Sequence, residues 1–289
     1  MNTPASTPAT GTDPEGLLVS GRRSDLGRQR ELNEDSLVSL EWQAVRQSRA
    51  RAMALYAVAD GMGGHAAGEV ASATAIEALA GAILKNVLAQ DAGPLPGPAT
   101  NGEPAAGPQG DRPEGRRDYG ALLKETCRIA NRAVYAEARQ RHSDMGTTLV
   151  VALVVGQEAW VANIGDSRAY HLDGQGLRQV TTDHSLVMRL VAAGQITKEE
   201  ARTHPQRNMI YRTVGEHAEV EVDIFHLELA QGDGLLLCSD GLHGLVEEAE
   251  IRRVLLDAAD PQAACEMLVD MANAAGGHDN ISAIVVRMR

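Results

Sequence analysis

Hydrophobic residues in this chain fall into short runs separated by polar or glycine-containing turns, a pattern typical of β-strands. The runs that predict strands are 36–42, 53–59, 147–155, 159–164, 169–172, 177–180, 220–229, 235–238 and 281–287. Gly156-Gln157-Glu158 and Asp173-Gly174 each lie between two neighbouring runs, which is typical of hairpins. Because hairpins join successive strands, we expect antiparallel β-sheets.

Helical periodicity is clearest over residues 68–90, where apolar residues recur on one face. Further helices are predicted at 120–141, as two short helices within 184–204, and at 247–258 and 261–275. Gly194 is expected to end the first short helix, and Thr197 is expected to cap the second. Asp260 followed by Pro261 is typical of a helix N-terminus. Helices that come in separated pairs between hairpins predict α+β layers rather than alternating βαβ units.

Two stretches of biased composition set the domain boundaries. Residues 1–16 and 92–118 are predicted to be unstructured, and the second contains six Pro and six Gly. The rest is the size of one domain, so we expect a disordered tail over 1–16 and a single domain over 17–289 with an insertion at 92–118. No internal repeat or heptad pattern is present in the sequence.

The charge balance limits the classes of partner. The 27 basic and 39 acidic residues give a net charge of −12, and aromatic residues make up only 3% of the chain. Nucleic-acid and anionic-membrane binders need a basic face, so neither class is expected. Cys127, Cys238 and Cys265 do not have the spacing of a zinc or disulfide framework.

Residues 1–16 lack the features of a signal peptide, and the longest apolar run, 149–155, is too short to span a membrane. We therefore expect a cytoplasmic monomer without a membrane segment.

Aspartates follow several of the predicted strands. Asp60 and Asp240 each end an apolar run and are followed by glycine, Asp279 comes just before the last strand, and Asp35 comes just before the first. A single aspartate in a turn is usually a backbone cap. Several carboxylates at one edge of a sheet would repel one another unless a cation neutralised them, and all-oxygen sites suit Mg²⁺ or Mn²⁺.

In order and spacing, the motifs of this chain resemble the bacterial branch of the metal-dependent serine/threonine protein phosphatases of the PPM class, the protein phosphatase type 2C family. The resemblance covers residues 24–280. The matching segments are Ser24-Asp25-Leu26-Gly27, Asn33-Glu34-Asp35-Ser36, Ala59-Asp60-Gly61-Met62-Gly63-Gly64-His65, Asp144-Met145-Gly146-Thr147-Thr148, Gly165-Asp166-Ser167-Arg168, Thr182-Asp183-His184-Ser185, Cys238-Ser239-Asp240-Gly241 and Gly277-His278-Asp279-Asn280.

The resemblance implies a four-layer αββα sandwich with two antiparallel β-sheets and a binuclear metal centre at one end. By this resemblance, Asp60 bridges two Mg²⁺ or Mn²⁺ ions and the Gly61 carbonyl binds one of them. The resemblance also implies that Asp240 and Asp279 bind the second metal and that Glu34 and Asp35 hold metal-bound waters. It further implies that Asp144 and Asp240 hold a third, weaker metal and that Arg30 binds the substrate phosphate.

The reaction implied is hydrolysis of phosphoserine or phosphothreonine in proteins, through attack by a metal-bridging hydroxide. The implied partners are phosphorylated proteins, among them a serine/threonine kinase that the enzyme opposes, and a flap over 183–215 would lie beside the site. Met62 stands where animal members have a histidine that is proposed as a proton donor. His65 and His184 are interpreted as structural, Asp166 as a hydrogen-bond acceptor, and Cys238 as a packed residue.

Three alternatives remain at this point. The segment Gly61-x-Gly63-x-x-Ala66 after a strand has the outline of a dinucleotide-binding turn, although the second strand that this fingerprint requires is not predicted. A non-catalytic pseudophosphatase would bind phosphoproteins, and here every aspartate ligand is retained. A phosphatase of anti-sigma antagonists would belong to the same family, usually behind a sensor or membrane domain.

Overall fold

The computed structural model describes residues 18–46, 49–63, 67–91 and 118–289. The expected tail 1–16, residues 92–117 of the insertion, and His65 lie outside these residues. The described chain forms two β-sheets, and its strands are β1 (Leu18–Asp25), β2 (Asp35–Arg46), β3 (Arg49–Met62), β4 (Gly146–Thr147), β5 (Leu149–Val155), β6 (Glu158–Ile164), β7 (Arg168–Asp173), β8 (Gly176–Gln179), β9 (Asp223–Glu228), β10 (Gly234–Cys238) and β11 (Ile281–Met288).

The first sheet has the strand order β1-β11-β10-β7-β8, and the second has the order β2-β3-β5-β6-β9 with β4 paired to β3. All of these pairings are antiparallel. A dinucleotide-binding fold needs parallel strands joined by crossover helices, so the strand pairing excludes that alternative.

The helices are α1 (Ala67–Asp91), α2 (Tyr119–Arg141), α3 (Leu186–Ala192), α4 (Lys198–Thr203), α5 (Asp240–His243), α6 (Glu248–Asp257) and α7 (Pro261–Ala274). Two predicted helix starts are confirmed by their caps. The Thr197 hydroxyl accepts a hydrogen bond from the Glu200 N–H, and the Asp260 carboxylate accepts one from the Ala263 N–H.

Alternation along the strands produces the layers. On β3, Leu55 and Ala57 pack in a cluster with residues of α1 and α2, whereas Tyr56 and Val58 pack in a cluster between the two sheets. A third cluster joins the first sheet to α6 and α7. The expected four-layer αββα sandwich is therefore confirmed, with one helix layer on the outer face of each sheet.

Helix α1 is apolar enough to resemble a membrane span. Residues Ala67–Asn86 reach a mean hydropathy of 1.3, and only this helix among the described residues passes such a test of length and composition. Ala71, Ala75, Leu79 and Ile83 are buried in the same cluster as residues of the second sheet. The apolar face of α1 is thus accounted for by the core of the domain.

The predicted helices and strands are confirmed with shifts of a few residues at their ends, but β1 was not anticipated. Its sequence, Leu18–Asp25, contains three charged side chains and only two large apolar ones. It is a strand because all eight of its residues pair with β11 and because α7 packs on it. A strand stabilised mainly by such tertiary contacts leaves a weak hydrophobic signal.

The close packing of β1 on α7 gives a testable pair of substitutions. A Cβ atom at Gly21 would lie 2.3 Å from the Gln262 backbone nitrogen, whereas one at the exposed helical residue Gly81 would meet nothing within 4 Å. We expect Gly21→Ala to lower the free energy of unfolding by about 1–3 kcal/mol because backbone must move. Gly81→Ala should raise it by about 0.5–1 kcal/mol. Urea unfolding of both variants measures this, and equal effects would contradict it.

Candidate metal centre

Four of the predicted aspartates meet at one end of the sandwich, two from each sheet. Asp35 at the start of β2 pairs directly with Asp60 near the end of β3. Asp240 follows β10, and Asp279 precedes β11, the strand next to β10 in the first sheet. The Ser239 hydroxyl donates a 2.8 Å hydrogen bond to Asp35 Oδ2, which links the two sheets at this end.

Burial and mutual repulsion shift the titration of these carboxyls. Burial raises the pKa of Asp60 well above its usual range, and the charges of Asp35, Asp240 and Asp166 raise it further. Burial likewise raises the pKa of Asp240, with a contribution from Asp279. The pKa of Asp35 rises to about 7, again mainly through burial. Placing several buried carboxylates together is costly unless positive charge offsets them.

The unpaired oxygens of the cluster fit a divalent cation. Asp35 Oδ1, Asp166 Oδ1 and Asp240 Oδ1 are buried and have no hydrogen-bond partner among the residues that the structure describes. Buried oxygens of this kind are normally satisfied, and Mg²⁺ and Mn²⁺ prefer oxygen ligands. In the described part of the chain no three acidic, histidine or cysteine side chains already have the geometry of one closed ligand set. The residues therefore fit a divalent cation by the chemistry of their oxygens and by their common position at one end of the sandwich.

The backbone that follows Asp60 and Asp240 leaves no room for a side chain at Gly61 or at Gly241. A Cβ atom at Gly61 would lie 2.1 Å from the Gly68 carbonyl oxygen, and one at Gly241 would lie 2.1 Å from that of Asn280. Each Asp-Gly pair is thus held in direct backbone contact with a neighbouring segment, which explains why glycine follows the aspartate.

Two threonines fix Asp60 from the side of β4 and β5, and the sequence interpretation gave them no role. The Asp60 N–H donates to Thr148 Oγ1 at 3.0 Å, and the Thr147 hydroxyl donates to the Asp60 carbonyl at 2.8 Å. The Gly61 N–H donates to the Glu34 carbonyl at 3.1 Å. These contacts hold both flanks of the Asp60-Gly61 turn in place.

A cavity of about 660 Å³ opens beside the carboxylates. Its lining includes residues of the predicted site, namely Arg30, Glu34, Asp60, Gly61 and Asp279, together with Met62. It also includes Pro205, Gln206, Asn208, Met209 and Ile210, which lie within the segment 183–215. A guanidinium group and carboxylates therefore face a cavity that is partly covered by apolar side chains.

Arg30 is half exposed in this cavity and bonds to Asp279, with 2.7 Å between Nη2 and Oδ2. The Asp279 carboxylate raises the pKa of Arg30, so the guanidinium stays charged. Burial raises the pKa of Glu34, while Arg30 opposes that rise. The cavity thus combines one fixed positive group with an excess of carboxylates.

The structure brings Asp166 into the acidic cluster, whereas Asp144 is exposed and does not line the cavity. Burial raises the pKa of Asp166 well above its usual range, with a further contribution from Asp240. Asp166 follows strand β6 in the same way that Asp240 follows β10, so the strand-end pattern contained the signal.

Arg168 of the Gly165-Asp166-Ser167-Arg168 segment forms an ion pair with Asp183 at 2.7 Å. The interpretations of Cys238 and His184 are confirmed. Cys238 is buried, which raises the pKa of its thiol to about 12, as expected for a packed residue rather than a nucleophile. His184 is also buried, and its Nδ1 accepts a hydrogen bond from the Gly165 N–H.

Comparison with known proteins decides the family. The sequence profile of protein phosphatase 2C matches residues 28–275. The chain belongs to the protein phosphatase 2C family. The serine/threonine phosphatase stp of Listeria innocua is 35% identical over 266 residues, which cover 91% of this chain and 93% of that protein.

Solved structures of this phosphatase family share the fold. The catalytic domain of the Ser/Thr phosphatase PstP in complex with two manganese ions has a TM-score of 0.73 and 34% identity, covering 94% of this chain and 99% of that one. The phosphatase Stp1 of Staphylococcus aureus has a TM-score of 0.74 and 32% identity, covering 98% of this chain and 100% of that one. The PstP catalytic domain therefore holds two manganese ions on the same fold.

The raised pKa of Asp35 predicts how the metal-free phosphatase responds to pH. The folded state keeps this proton up to about pH 7, whereas the unfolded chain loses it near its ordinary pKa of about 3.9. Stability therefore falls as pH rises through this window, and Asp35→Asn should remove that loss. In urea unfolding with EDTA, the free energy of unfolding of the variant should rise relative to that of the wild type by roughly 1 kcal/mol per pH unit across this window. A gain that does not change with pH would contradict this, and excess Mn²⁺ should reduce it.

Proposed function

We propose that this protein is a Mg²⁺- or Mn²⁺-dependent phosphatase that hydrolyses phosphoserine and phosphothreonine in other proteins. The observation that carries the proposal is the set of buried carboxylates with unpaired oxygens beside a cavity that Arg30 also faces. The relatives named serine/threonine phosphatases support the substrate class. The alternative of a pseudophosphatase has no support in the site, because each predicted aspartate ligand is present.

The metal ligands follow from the placement of the carboxylates. Asp60 would contact two ions, with the Gly61 carbonyl on one of them and Asp240 and Asp279 on the other. Glu34 and Asp35 would act through coordinated water. When bound, the ions would offset the carboxylate charge and lower the pKa of a coordinated water towards neutrality. The chain's own contribution is to hold these oxygens in fixed positions on two packed sheets.

Arg30 would bind the phosphate of the substrate. Its planar guanidinium can donate two parallel hydrogen bonds to phosphate oxygens, and it stays charged at every physiological pH. Its present partner Asp279 lies on the wall of the same cavity, so a phosphate there would be within reach of both the arginine and the metal ligands. Met62, Met209 and Ile210 would contact the apolar part of the phosphorylated residue or its neighbours.

We assign the third, weaker metal to Asp166 and Asp240 rather than to Asp144 and Asp240. Asp166 Oδ1 is buried without a partner, and its carboxyl interacts electrostatically with Asp240. Asp144 is exposed. The segment 183–215 would act as the flap, since five of its residues line the cavity.

The proposed partners are phosphorylated proteins, among them a serine/threonine kinase and the substrates of that kinase. The net charge of −12 is compatible with a monomer that works in the cytoplasm and does not bind nucleic acid.

The proposed reaction depends on metal and on Asp240. Turnover of p-nitrophenyl phosphate should require Mn²⁺ or Mg²⁺, stop in EDTA, and fall at least about 100-fold in Asp240→Asn, because a ligand oxygen is lost. Phosphoserine and phosphothreonine peptides should be preferred over phosphotyrosine peptides. Asp270→Asn, at an exposed carboxylate that bonds to Arg23 on β1, should keep wild-type activity. Turnover in EDTA would contradict the metal mechanism, and absence of turnover under all conditions would favour the pseudophosphatase.

The assignment of the third metal can be tested with two isosteric variants. Asp166→Asn should raise the Mn²⁺ concentration that gives half-maximal activity about tenfold or more. Asp144→Asn should change it less than about twofold, because that side chain is exposed. Calorimetric titration of Mn²⁺ reports the same sites without turnover. The opposite ranking of the two variants would return the role to Asp144.

A further inference from the structure

One buried amide, Asn280, bonds to three backbone groups of the loop between β1 and β2. This loop, residues 26–34, contains Arg30 and Glu34 and is referred to below as the arginine loop. Asn280 Nδ2 donates to the carbonyls of Leu26 and Leu32 at 3.0 Å each, and Oδ1 accepts from the Glu34 N–H at 2.8 Å. One side chain therefore connects both ends of the arginine loop.

The chemistry of these contacts requires an amide. Two carbonyl oxygens face one end of the Asn280 side chain and an N–H faces the other, so only one orientation of the amide satisfies all three. An aspartate would place a second acceptor against the two carbonyls. A hydrophobic residue would leave one donor and two acceptors of the backbone without partners at a site where Asn280 is only 4% exposed.

The residues before Asn280 also contact the arginine loop. The Arg28 N–H donates to the Gly277 carbonyl at 2.7 Å, Gln29 bonds to His278 at 2.7 Å, and Arg30 bonds to Asp279. Gln29 and His278 are exposed, Arg30 must leave Asp279 in part when it binds phosphate, and the bond between Arg28 and Gly277 involves only backbone atoms. In the segment 277–280, Asn280 is thus the buried side chain that bonds to the arginine loop and has no proposed role in substrate binding.

The arginine loop is an irregular segment with little buried apolar surface at its two ends. It has no helix or strand, and Leu26 and Leu32 at its two ends are 38% and 39% exposed. Ordering a loop residue costs about 1–2 kcal/mol of backbone entropy, so a loop with few buried apolar contacts relies on hydrogen bonds to keep one conformation.

We infer that Asn280 is a positioning residue that holds the arginine loop in the shape that presents Arg30 to the substrate phosphate. The inference rests on the proposed role of Arg30 in phosphate binding. In the segment Gly277-His278-Asp279-Asn280, the proposed two-metal site explains the presence of Asp279 alone. The inference gives a function to Asn280 as well.

The chain contains a matched control for this residue. Asn131 on α2 is also buried, at 1% exposure, and its amide makes the same three kinds of contact to a different loop. Its Oδ1 accepts from the Gly215 N–H at 2.8 Å, and its Nδ2 donates to the carbonyls of His217 and Ala218 at 3.0 and 3.1 Å. Asn131→Ala removes an equivalent set of bonds without contacting the arginine loop.

The test is a double-mutant cycle between Asn280→Ala and Arg30→Ala. With saturating Mn²⁺, Arg30→Ala alone should raise KM for a phosphopeptide, and the inhibition constant of inorganic phosphate, about 10- to 100-fold. In the Asn280→Ala background, Arg30→Ala should raise KM and the inhibition constant less than about threefold, because the misplaced arginine no longer contributes to phosphate binding. In the Asn131→Ala background it should cost as much as in the wild type.

Hydrogen exchange reports the loop directly, without turnover. Amides of residues 26–34 should exchange faster in Asn280→Ala and remain as in the wild type in Asn131→Ala. If Asn280→Ala does not fold, Asn280→Ser, which keeps a small polar group, replaces it in the cycle.

The outcomes separate this inference from the proposed function. If Arg30→Ala costs the same in the Asn280→Ala background as in the wild type, Asn280 does not position the arginine, and the phosphatase mechanism is unaffected. If Arg30→Ala costs nothing in any background, Arg30 does not bind the phosphate, and both the proposed role of Arg30 and this inference are overturned.

Discussion

Repulsion between buried carboxylates is the constraint on which this end of the molecule depends. Asp35, Asp60, Asp240 and Asp279 come from two different sheets. The charges of Asp240 and Asp279 raise the cost of ionising Asp35 and Asp60, and the charge of Asp279 does the same for Asp240. Such a cluster would spread apart in a pliable structure. Here the aspartates lie at the ends of strands whose inner faces form one dry core between the sheets, so the carboxylates cannot separate without disrupting that core. The stability of the sandwich thus maintains a site that is itself unfavourable until cations bind.

The site is also divided between fixed and adjustable parts. The oxygens at Asp60 and Asp240 are held by backbone contacts too close for any side chain. Arg30 lies on an irregular loop to which Asn280 makes three hydrogen bonds, whereas Met209 and Ile210 belong to a segment of short helices and turns. Groups that would hold the ions and the phosphate, which are common to all substrates, are therefore fixed in place. Groups that would meet the differing protein parts of the substrates lie on an element that tolerates variation.

The sequence predicted much of this structure because its signals were local. Continuous apolar runs specified β3 and β5, caps marked α4 and α7, and Asp-Gly pairs marked two strand ends. What could not be predicted depended on contacts distant in sequence. Strand β1 is polar and exists through pairing with β11. The place of Asp166 in the acidic cluster, and that of Asp144 outside it, is decided by which turns the two sheets bring together. The role of Asn280 depends on three backbone partners that lie more than 240 positions away in the sequence, so no local signal marks it.

The position of β11 between β1 and β10 has a consequence for biosynthesis. Arg30 and Asp279 are 249 residues apart, and β1 can pair only after β11 has been made. A chain on the ribosome that has not yet reached Asp279 therefore lacks one carboxylate of the proposed metal site and the ionic partner of Arg30. Because contacts between residues so distant in sequence form slowly, we expect this end of the sandwich to be among the last parts of the domain to assemble.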